Sequence, residues 1–248
     1  MQRLPTQERP NWKADAEAIG FQFHTMYGEP YWDETSMYSF TLDQVENDIE
    51  DPSTELHEMC RQAVDEIVDN ERLMFKMGIP ESMLDYVRSS WKSGEQELYG
   101  RFDLAYNGKG PAKMLEYNAD TPTSLFEAGH YQWTWLEEKI KLGQLAEGTD
   151  QFNRIYDALV ERFQEMFLPR TDVHFASVGG MENLEDYGTV ETMAWAARDA
   201  GLGAHYVKVE DIGLSTAGQF VDDESRVIGS LFKLYPWEFM MREDYFDS

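Results

Sequence analysis

Four polar residues on two short predicted strands have the types and the spacing of a metal site. Arg101 and Asp103 fall in the stretch LYGRFDLAY, and Glu116 and Asn118 fall in AKMLEYNAD. Side chains alternate between the two faces of a strand, so each pair lies on one face of its strand. Two carboxylates and a carboxamide form a set of hard oxygen ligands suited to Mg²⁺. Arg101 beside them has the planar charge that matches a phosphoryl group.

Whether these side chains converge depends on the turn NGKG (107–110) that joins the two strands. With a loop of two or four residues, Arg101 lies opposite Glu116, and Asp103 lies on the same side of the hairpin. A loop of three residues would break this arrangement. The same spacing is also consistent with an ordinary cross-strand ion pair between Arg101 and Glu116, with Asp103 as a solvated surface acid.

The segment NADTPTS (118–124) leads from the second strand to the start of a predicted helix. Free backbone N–H groups at a helix N-terminus favour an anion such as a substrate carboxylate. Thr121, Thr123 and Ser124 add hydroxyl groups to this segment. Taken alone, these residue types are typical of turns and helix caps.

Apolar periodicity and capping residues predict helices on both sides of the hairpin. Their approximate ranges are 42–50, 52–70, 80–92, 124–142 and 151–166. From residue 172 the pattern becomes the strand VHFASV, a helix over about 185–200 and the strand AHYVKV, which predicts a βαβ crossover. A short strand pair is predicted around QFVDD and RVIGSLFKLY. The predicted fold class is α/β (α+β).

The composition favours cationic or metal-carried ligands. The chain has 47 acidic and 21 basic side chains and a net charge of -26. This charge repels phosphate backbones and anionic lipid, so we expect no nucleic-acid partner and no membrane partner. No apolar run approaches the roughly 18 residues of a membrane span. A single cysteine and a start that lacks a signal-peptide pattern predict a cytoplasmic protein.

Cysteine and histidine chemistry is not expected. Cys60 lies three residues after His57, but no Asn or Asp is placed by the sequence to orient the imidazole. Cys60 also falls in the apolar stripe of a predicted helix, a position typical of a buried structural cysteine. The five histidines show neither H-x-H nor H-E-x-x-H spacing, so no zinc site is predicted.

Several stretches of the chain together resemble a known family. They are FHTMYGEPYW (23–32), GRFDLAY (100–106), LEYNADTPTSL (115–125), LEDYGT (184–189) and LFKLYPWEF (231–239). They are similar to the synthetase domain of glutathionylspermidine synthases, and most similar to stand-alone homologues without an amidase domain. The resemblance implies an ATP-grasp-like fold, represented by its N-terminal part with a small Rossmann-like pre-ATP-grasp α/β unit.

The resemblance also implies a reaction and a set of residue roles. Members of that family use ATP and Mg²⁺ to join a peptide carboxylate to a polyamine amine through an acyl phosphate. Carried over by motif, the magnesium ligands would be Asp103, Glu116 and Asn118. Arg101 would stabilise the transferring phosphoryl charge, and the ATP contacts would come from Arg101, Asp103 and Glu116. The substrate-binding residues would be Arg101, Thr121, Glu185 and Asp186.

Two positions depart from the members that use glutathione. Phe239 stands where those members carry a hydroxyl residue, and Thr121 stands in place of a serine. The ATP-binding lysines and the glycine-rich loop of the family belong to a part beyond this sequence, so we expect the chain alone to be inactive.

The expected organisation has three parts. Residues 1–170 would form a helical region with the metal- and substrate-binding hairpin, 171–233 the small α/β unit, and 234–248 the start of a truncated C-terminal part. The expected function is an ATP- and Mg²⁺-dependent carboxylate–amine ligase acting on small molecules. The alternative is a non-catalytic module that binds substrate and metal but lacks the ATP-binding half.

Overall fold

The computed structural model describes residues 1–180 and 183–244. The chain forms two compact units. The first comprises Met1–Gln2 and Ser39–Tyr117, and the second comprises Arg3–Tyr38 and Asn118–Ser248. The predicted division into 1–170, 171–233 and 234–248 stays a prediction, and residues 245–248 of its last part lie outside the described residues.

Helices and strands both contribute to the fold, which confirms the predicted α/β class. The helices are α1 (Trp12–Ala18), α2 (Leu42–Val45), α3 (Asp51–Val68), α4 (Glu71–Lys76), α5 (Leu84–Ser93), α6 (Gln132–Lys141), α7 (Ile155–Met166), α8 (Leu184–Asp199) and α9 (Trp237–Met240). The strands are β1 (Gln2–Pro5), β2 (Thr25–Met26), β3 (Glu29–Pro30), β4 (Ser36–Ser39), β5 (Arg101–Ala105), β6 (Lys113–Asn118), β7 (Asp172–Ser177), β8 (Gly203–Lys208), β9 (Gly213–Leu214), β10 (Phe220–Val221) and β11 (Leu231–Leu234). Among the described residues, no helix combines the length and the apolar character needed to cross a bilayer.

In the first unit, α2, a π-helical turn (Glu46–Glu50) and α3 follow one another without a break. The side chain of Thr41 accepts a hydrogen bond from the Gln44 N–H, and the Gln44 side chain accepts one from the Thr41 N–H. This reciprocal capping box starts the helix where the sequence predicts it. The second helix, predicted from residue 52, is α3, which begins at Asp51 and continues the preceding turn without the predicted break.

Pro52 does not interrupt this helix because a neighbouring segment replaces its missing donor. Proline has no N–H to donate to the carbonyl group four residues earlier. That carbonyl belongs to Asp48, and it accepts a hydrogen bond from the Ala112 N–H at 2.7 Å. The preceding π-helical turn locally changes the helical hydrogen-bond pattern. Helix α4, capped by the Asn70 side chain, is an element that the sequence patterns did not predict.

Strands β5 and β6 form the predicted two-stranded sheet. Their connection uses Gly108 and Gly110 at φ values of 92° and 73°, a region that glycine enters without a side-chain clash. The rings of Phe102 and Tyr117, one from each strand, lie 4.2 Å apart between centroids. This contact holds the two strands together next to the polar residues considered below.

The second unit contains a three-stranded parallel sheet in the order β11-β7-β8. Helix α8 connects β7 to β8, so the predicted βαβ crossover is confirmed. The central strand β7 is buried from Val173 to Ser177, as expected for a parallel strand covered on both faces. On α8, Gly188 allows close packing, because a β-carbon there would lie 3.0 Å from the ring of Phe23.

The predicted pairing of the last two strand segments is found only at their facing ends, and β11 itself joins a different sheet. β10 pairs antiparallel with β9, whereas β11 pairs parallel with β7 and places Leu231 opposite His174. An isolated bridge joins Val221 to Val227. Local spacing indicated that these strands exist, but it did not specify which sheet edge each would join.

A buried carboxylate, Asp222, contacts the central strand of the parallel sheet. Asp222 accepts hydrogen bonds from Arg226 Nε at 2.7 Å and from the Arg226 backbone N–H at 2.8 Å. Its Oδ2 atom lies 3.3 Å from His174 Nε2. Burial by itself would raise the pKa of Asp222, but these hydrogen bonds outweigh it and lower the pKa from 3.8 to about 2.

We expect Asp222→Asn to lower the free energy of unfolding by about 1–3 kcal/mol at pH 7, the usual range for a lost charged hydrogen bond. Because the pKa of Asp222 is lower in the folded state, its contribution is complete above pH 4 and disappears as the pH falls towards 2. Urea unfolding at pH 7, 4 and 2.5 tests this. The other carboxylates titrate in both proteins, so their effect cancels in the comparison. If the free energies of unfolding of the two proteins differ by the same amount at pH 7 and at pH 2.5, the prediction is contradicted.

Candidate functional site

The sheet of β5 and β6 brings three of the predicted site residues together. Arg101 Nε donates to Asp103 Oδ1 at 2.8 Å, and Arg101 Nη2 lies 3.4 Å from Asp103 Oδ2. The same Nη2 atom lies 4.0 Å from Glu116 Oε1. Both carboxylates therefore contact one guanidinium group, and the three side chains share one face of the sheet.

This group of charges is open to solvent on one side. The side chains of Arg101, Asp103 and Glu116 are 32%, 40% and 60% exposed, respectively. The hydrogen bond to Asp103 raises the pKa of Arg101 above its usual value, so its charge is permanent. Because an exposed ion pair contributes little to stability, another cation can replace part of this contact at small cost.

The two carboxylates need further oxygen atoms to complete a metal site. Among the described residues, no group of three or more His, Cys, Asp or Glu side chains is placed to hold a metal ion. Mg²⁺ commonly takes one or two carboxylates and completes its shell with water and substrate phosphates. Asp103 and Glu116 fit that pattern, and Arg101 beside them fits a phosphate.

Asn118 and Thr121 belong to a turn at the start of Asn118–Ser248, the longer of the two segments of the second unit. The Asn118 Oδ1 atom accepts hydrogen bonds from the backbone N–H groups of Asp120 at 3.2 Å and Thr121 at 3.0 Å. This is the turn geometry that asparagine often stabilises. The carboxamide oxygen thus already has two donors, and its role as a metal ligand stays a prediction.

Asp120 fixes the segment 118–124 to a distant part of the chain, and sequence reasoning missed it. Its Oδ1 atom accepts from Lys233 Nζ at 2.5 Å, and its Oδ2 atom accepts from the Trp237 N–H at 3.0 Å. Lys233 Nζ also lies 4.8 Å from the centre of the Trp237 ring. Both partners lie in LFKLYPWEF and Asp120 lies in LEYNAD, so the family motifs were a signal for this contact.

Glu185 lies in the first turn of α8 beside a tyrosine of the second unit. Its Oε1 atom is 3.2 Å from the hydroxyl oxygen of Tyr31, which also hydrogen-bonds the buried Glu127. Burial and the nearby Glu127 carboxylate raise the pKa of Tyr31, so this hydroxyl keeps its proton. Sequence reasoning missed Tyr31 and Glu127, although Tyr31 lies inside the stretch FHTMYGEPYW.

Asp186, next in the chain, is half-buried. Burial, and then the negative charge of Glu185, raise the pKa of Asp186 above its usual range. Glu185 also lines a small cavity of about 160 Å³ whose other walls come from Leu184 and from residues 22–27. The second unit therefore places Glu185, one of the predicted acidic pair, at the wall of a cavity. The role of Glu185 and Asp186 as substrate contacts stays a prediction.

Comparison with known proteins identifies the family. The family model described as glutathionylspermidine synthase preATP-grasp matches residues 3–248. A protein of Haemophilus influenzae, provisionally named an acid–amine ligase, is 39% identical over 96% of this chain and 60% of its own length. Trypanothione synthetase of Crithidia fasciculata is 31% identical over 78% of this chain and 29% of its own length.

A further relative is the bifunctional glutathionylspermidine synthetase/amidase of Escherichia coli, which is 25% identical over 81% of this chain and 31% of its own length. The chain thus spans about three fifths of the first relative and about a third or less of the other two. These relatives are all named as ligases or synthetases, and the resemblance seen in the motifs is confirmed. The chain belongs to the glutathionylspermidine synthase preATP-grasp family.

Proposed function

We propose that the protein is an ATP- and Mg²⁺-dependent carboxylate–amine ligase. It would join a peptide carboxylate to an amine, such as a polyamine, through an acyl phosphate. The observation that carries this proposal is the contact of one arginine with two half-exposed carboxylates on the β5–β6 face, in a chain of this ligase family. Such a face matches a metal ion together with the phosphate that it accompanies.

In this proposal Asp103 and Glu116 hold Mg²⁺, with Asn118 as the third ligand. The ion, when bound, neutralises phosphate charge and orients the phosphoryl group. Arg101 presents a planar set of N–H donors to the transferring phosphoryl group and stabilises the charge that develops on it. Its position depends on Asp103, which fixes the guanidinium through two N–H contacts.

The substrate contacts are assigned to the second unit. Thr121, at the end of the Asn118 turn, would contact the peptide substrate, and Glu185 and Asp186 would attract the positively charged amine. The net charge of -26 raises the local concentration of such amines at the protein surface. Phe239 and Thr121 depart from the glutathione-joining pattern, so glutathione is one of the peptides that the substrate screen must compare.

Metal binding tests the ligand assignment directly. We expect Asp103→Asn and Glu116→Gln each to weaken Mn²⁺ binding, measured by electron paramagnetic resonance, at least about tenfold. Mn²⁺ serves as the observable substitute for Mg²⁺ because it prefers the same oxygen ligands. Asp85→Asn is the matched control, since Asp85 is an exposed acid that also contacts an arginine, Arg88, at 2.9 Å.

Release of ADP that depends on both the acid and the amine tests the reaction. The assay uses a protein that carries this chain together with the ATP-binding part of the family, with peptides and polyamines screened as substrates. Equal Mn²⁺ affinity in Asp103→Asn, Glu116→Gln and the unchanged protein would refute the metal assignment. Mn²⁺ binding without ADP release for any acid and amine would instead favour the alternative, a module that binds metal and substrate without catalysis.

A further inference from the structure

The second unit contains a larger cavity, of about 540 Å³, between a second π-helical turn (Glu127–Tyr131), the start of α7 and the end of α8. We call it the α7 pocket. The lining residues used below are His130, Trp133, Tyr156, Asp157, Trp195 and Asp199. None of them is assigned to the ligase reaction proposed above.

One wall of the α7 pocket is a fixed aromatic cluster. The rings of His130 and Trp195 meet edge to face, with centroids 5.7 Å apart. The buried Phe126 supports both, at 5.4 Å from His130 and 6.1 Å from Trp195. Trp195 Nε1 donates to Glu191 at 2.9 Å, which fixes the indole. Trp133, which is half-buried, adds a second indole to the lining.

His130 presents a hydrogen-bond acceptor to this cavity. Burial lowers the pKa of His130 below 6.5, so the imidazole is neutral at pH 7. Within the described part of the chain, neither of its ring nitrogens takes part in a hydrogen bond. A neutral imidazole has one nitrogen that accepts and one that donates. The accepting nitrogen suits a ligand that carries an N–H group.

The charged residues in and beside the α7 pocket, two arginines against two aspartates and two glutamates, leave an excess of carboxylate. Asp199 accepts a hydrogen bond from the Tyr156 hydroxyl at 2.6 Å, while Asp157 lies in the first turn of α7. The two arginines at the rim are already paired with glutamates: Arg154 lies 2.9 Å from Glu161, and Arg198 lies 3.3 Å from Glu191. With these pairs neutral, the two aspartates give the region a net negative charge.

We propose that the α7 pocket binds an organic ammonium ion. Indole faces attract such cations, and Trp is the most effective aromatic residue for this contact. Asp157 and Asp199 supply the opposite charge, and His130 accepts a hydrogen bond from the ammonium N–H. The volume suits a small ligand with an alkyl group, since ligand sites usually exceed about 300 Å³. The α7 pocket is lined by residues of the second unit, whereas the carboxylates of the metal face belong to the first, and occupancy of the pocket does not require the ligase reaction.

Titration of the 248-residue chain with n-butylammonium, 1-butanol and butyrate tests the proposal. We expect n-butylammonium to shift the indole N–H resonances of Trp133 and Trp195 in a saturable manner. The alcohol and the carboxylate have the same alkyl chain without the positive charge, so they should bind at least tenfold more weakly. Equal binding of butanol and n-butylammonium would show a merely apolar cavity and overturn the proposal, as would the absence of any saturable shift.

Variants locate the site. Trp133→Leu and Asp157→Asn should each weaken n-butylammonium binding at least fivefold. Asp157 is exposed, so its substitution tests the charge without depending on how well a tryptophan variant folds. The control is Trp91→Leu, because Trp91 also lies beside a carboxylate, hydrogen-bonding Asp65 at 2.6 Å, but on the first unit. Unchanged affinity in Asp157→Asn, or an equal loss in Trp91→Leu, would overturn the proposal.

Discussion

Replacing Glu34 with alanine is expected to lower the free energy of unfolding by about 3–5 kcal/mol, the usual cost of breaking a buried ion pair from one side. The Glu34 side chain is 1% exposed and accepts from Arg9 Nη2 at 2.5 Å and from Trp32 Nε1 at 3.0 Å. Lys139, with a fully buried side chain, lies 3.9 Å from its other oxygen. Without Glu34, the buried cations Arg9 and Lys139 would lose the carboxylate that lies between them. The partly exposed Glu138 would still pair with Arg9.

Burial lowers the pKa of Lys139, whereas the negative charge of Glu34 raises it. The alanine variant therefore also favours loss of the Lys139 proton. Urea unfolding followed by circular dichroism measures the effect. Glu161→Ala is the control, because it removes an exposed ion pair with Arg154 and should cost less than about 1 kcal/mol. A similar loss of stability in both variants would contradict the prediction that the buried ion pairs of Glu34 stabilise the fold more than an exposed pair does.

A more demanding comparison replaces the whole cluster. Because buried ion pairs are costly to desolvate, a variant with leucine at Arg9 and Glu34 and methionine at Lys139 should be closer in stability to the unchanged protein than Glu34→Ala is. If the triple variant is much less stable than Glu34→Ala, the buried side chains stabilise the protein mainly through their hydrogen bonds, and the unpaired charge left in Glu34→Ala is not the main cost.

The sequence predicted the elements whose information is local. The capping residue Thr41, the glycines of the hairpin turn and the βαβ pattern each specify a structure within a few residues. The sequence did not predict that the helix continues past Pro52 without a break, because the compensating donor, the Ala112 N–H, comes from 60 residues away in the chain. The partner of β11 was missed for the same reason, since a short strand does not encode which edge it joins.

In the candidate site too, contacts within one element were predicted and contacts between distant segments were not. The contact of Arg101 with Asp103 follows from a spacing of two residues on one strand, and the pattern indicated it. The contacts of Asp120 with Lys233 and of Tyr31 with Glu127 join segments about 100 residues apart. No periodicity carries such information, so these contacts became visible only with the fold.

In a protein that carries this chain together with the ATP-binding part of the family, Arg101→Ala is expected to lower ligase turnover about 10²–10³-fold, the range found when one group that stabilises developing charge is removed. In the proposed reaction, the guanidinium contacts the phosphoryl group at the moment of transfer, so the loss should appear in kcat. Arg101→Lys keeps the charge but loses the paired N–H donors that hold Asp103, so we expect an intermediate loss.

Metal affinity should rise in Arg101→Ala although turnover falls. This result would distinguish a contact of Arg101 with the phosphoryl group from a purely structural role. Arg101 lies 2.8 Å from Asp103 and competes with a cation for its carboxylate, so Arg101→Ala should strengthen Mn²⁺ binding several-fold while turnover falls. Arg72→Ala, which removes an exposed arginine of α4 in the same unit, should change neither quantity. If Arg101→Ala weakens Mn²⁺ binding and turnover together, the arginine acts by holding the two carboxylates in place, and its assigned contact with the phosphoryl group is wrong.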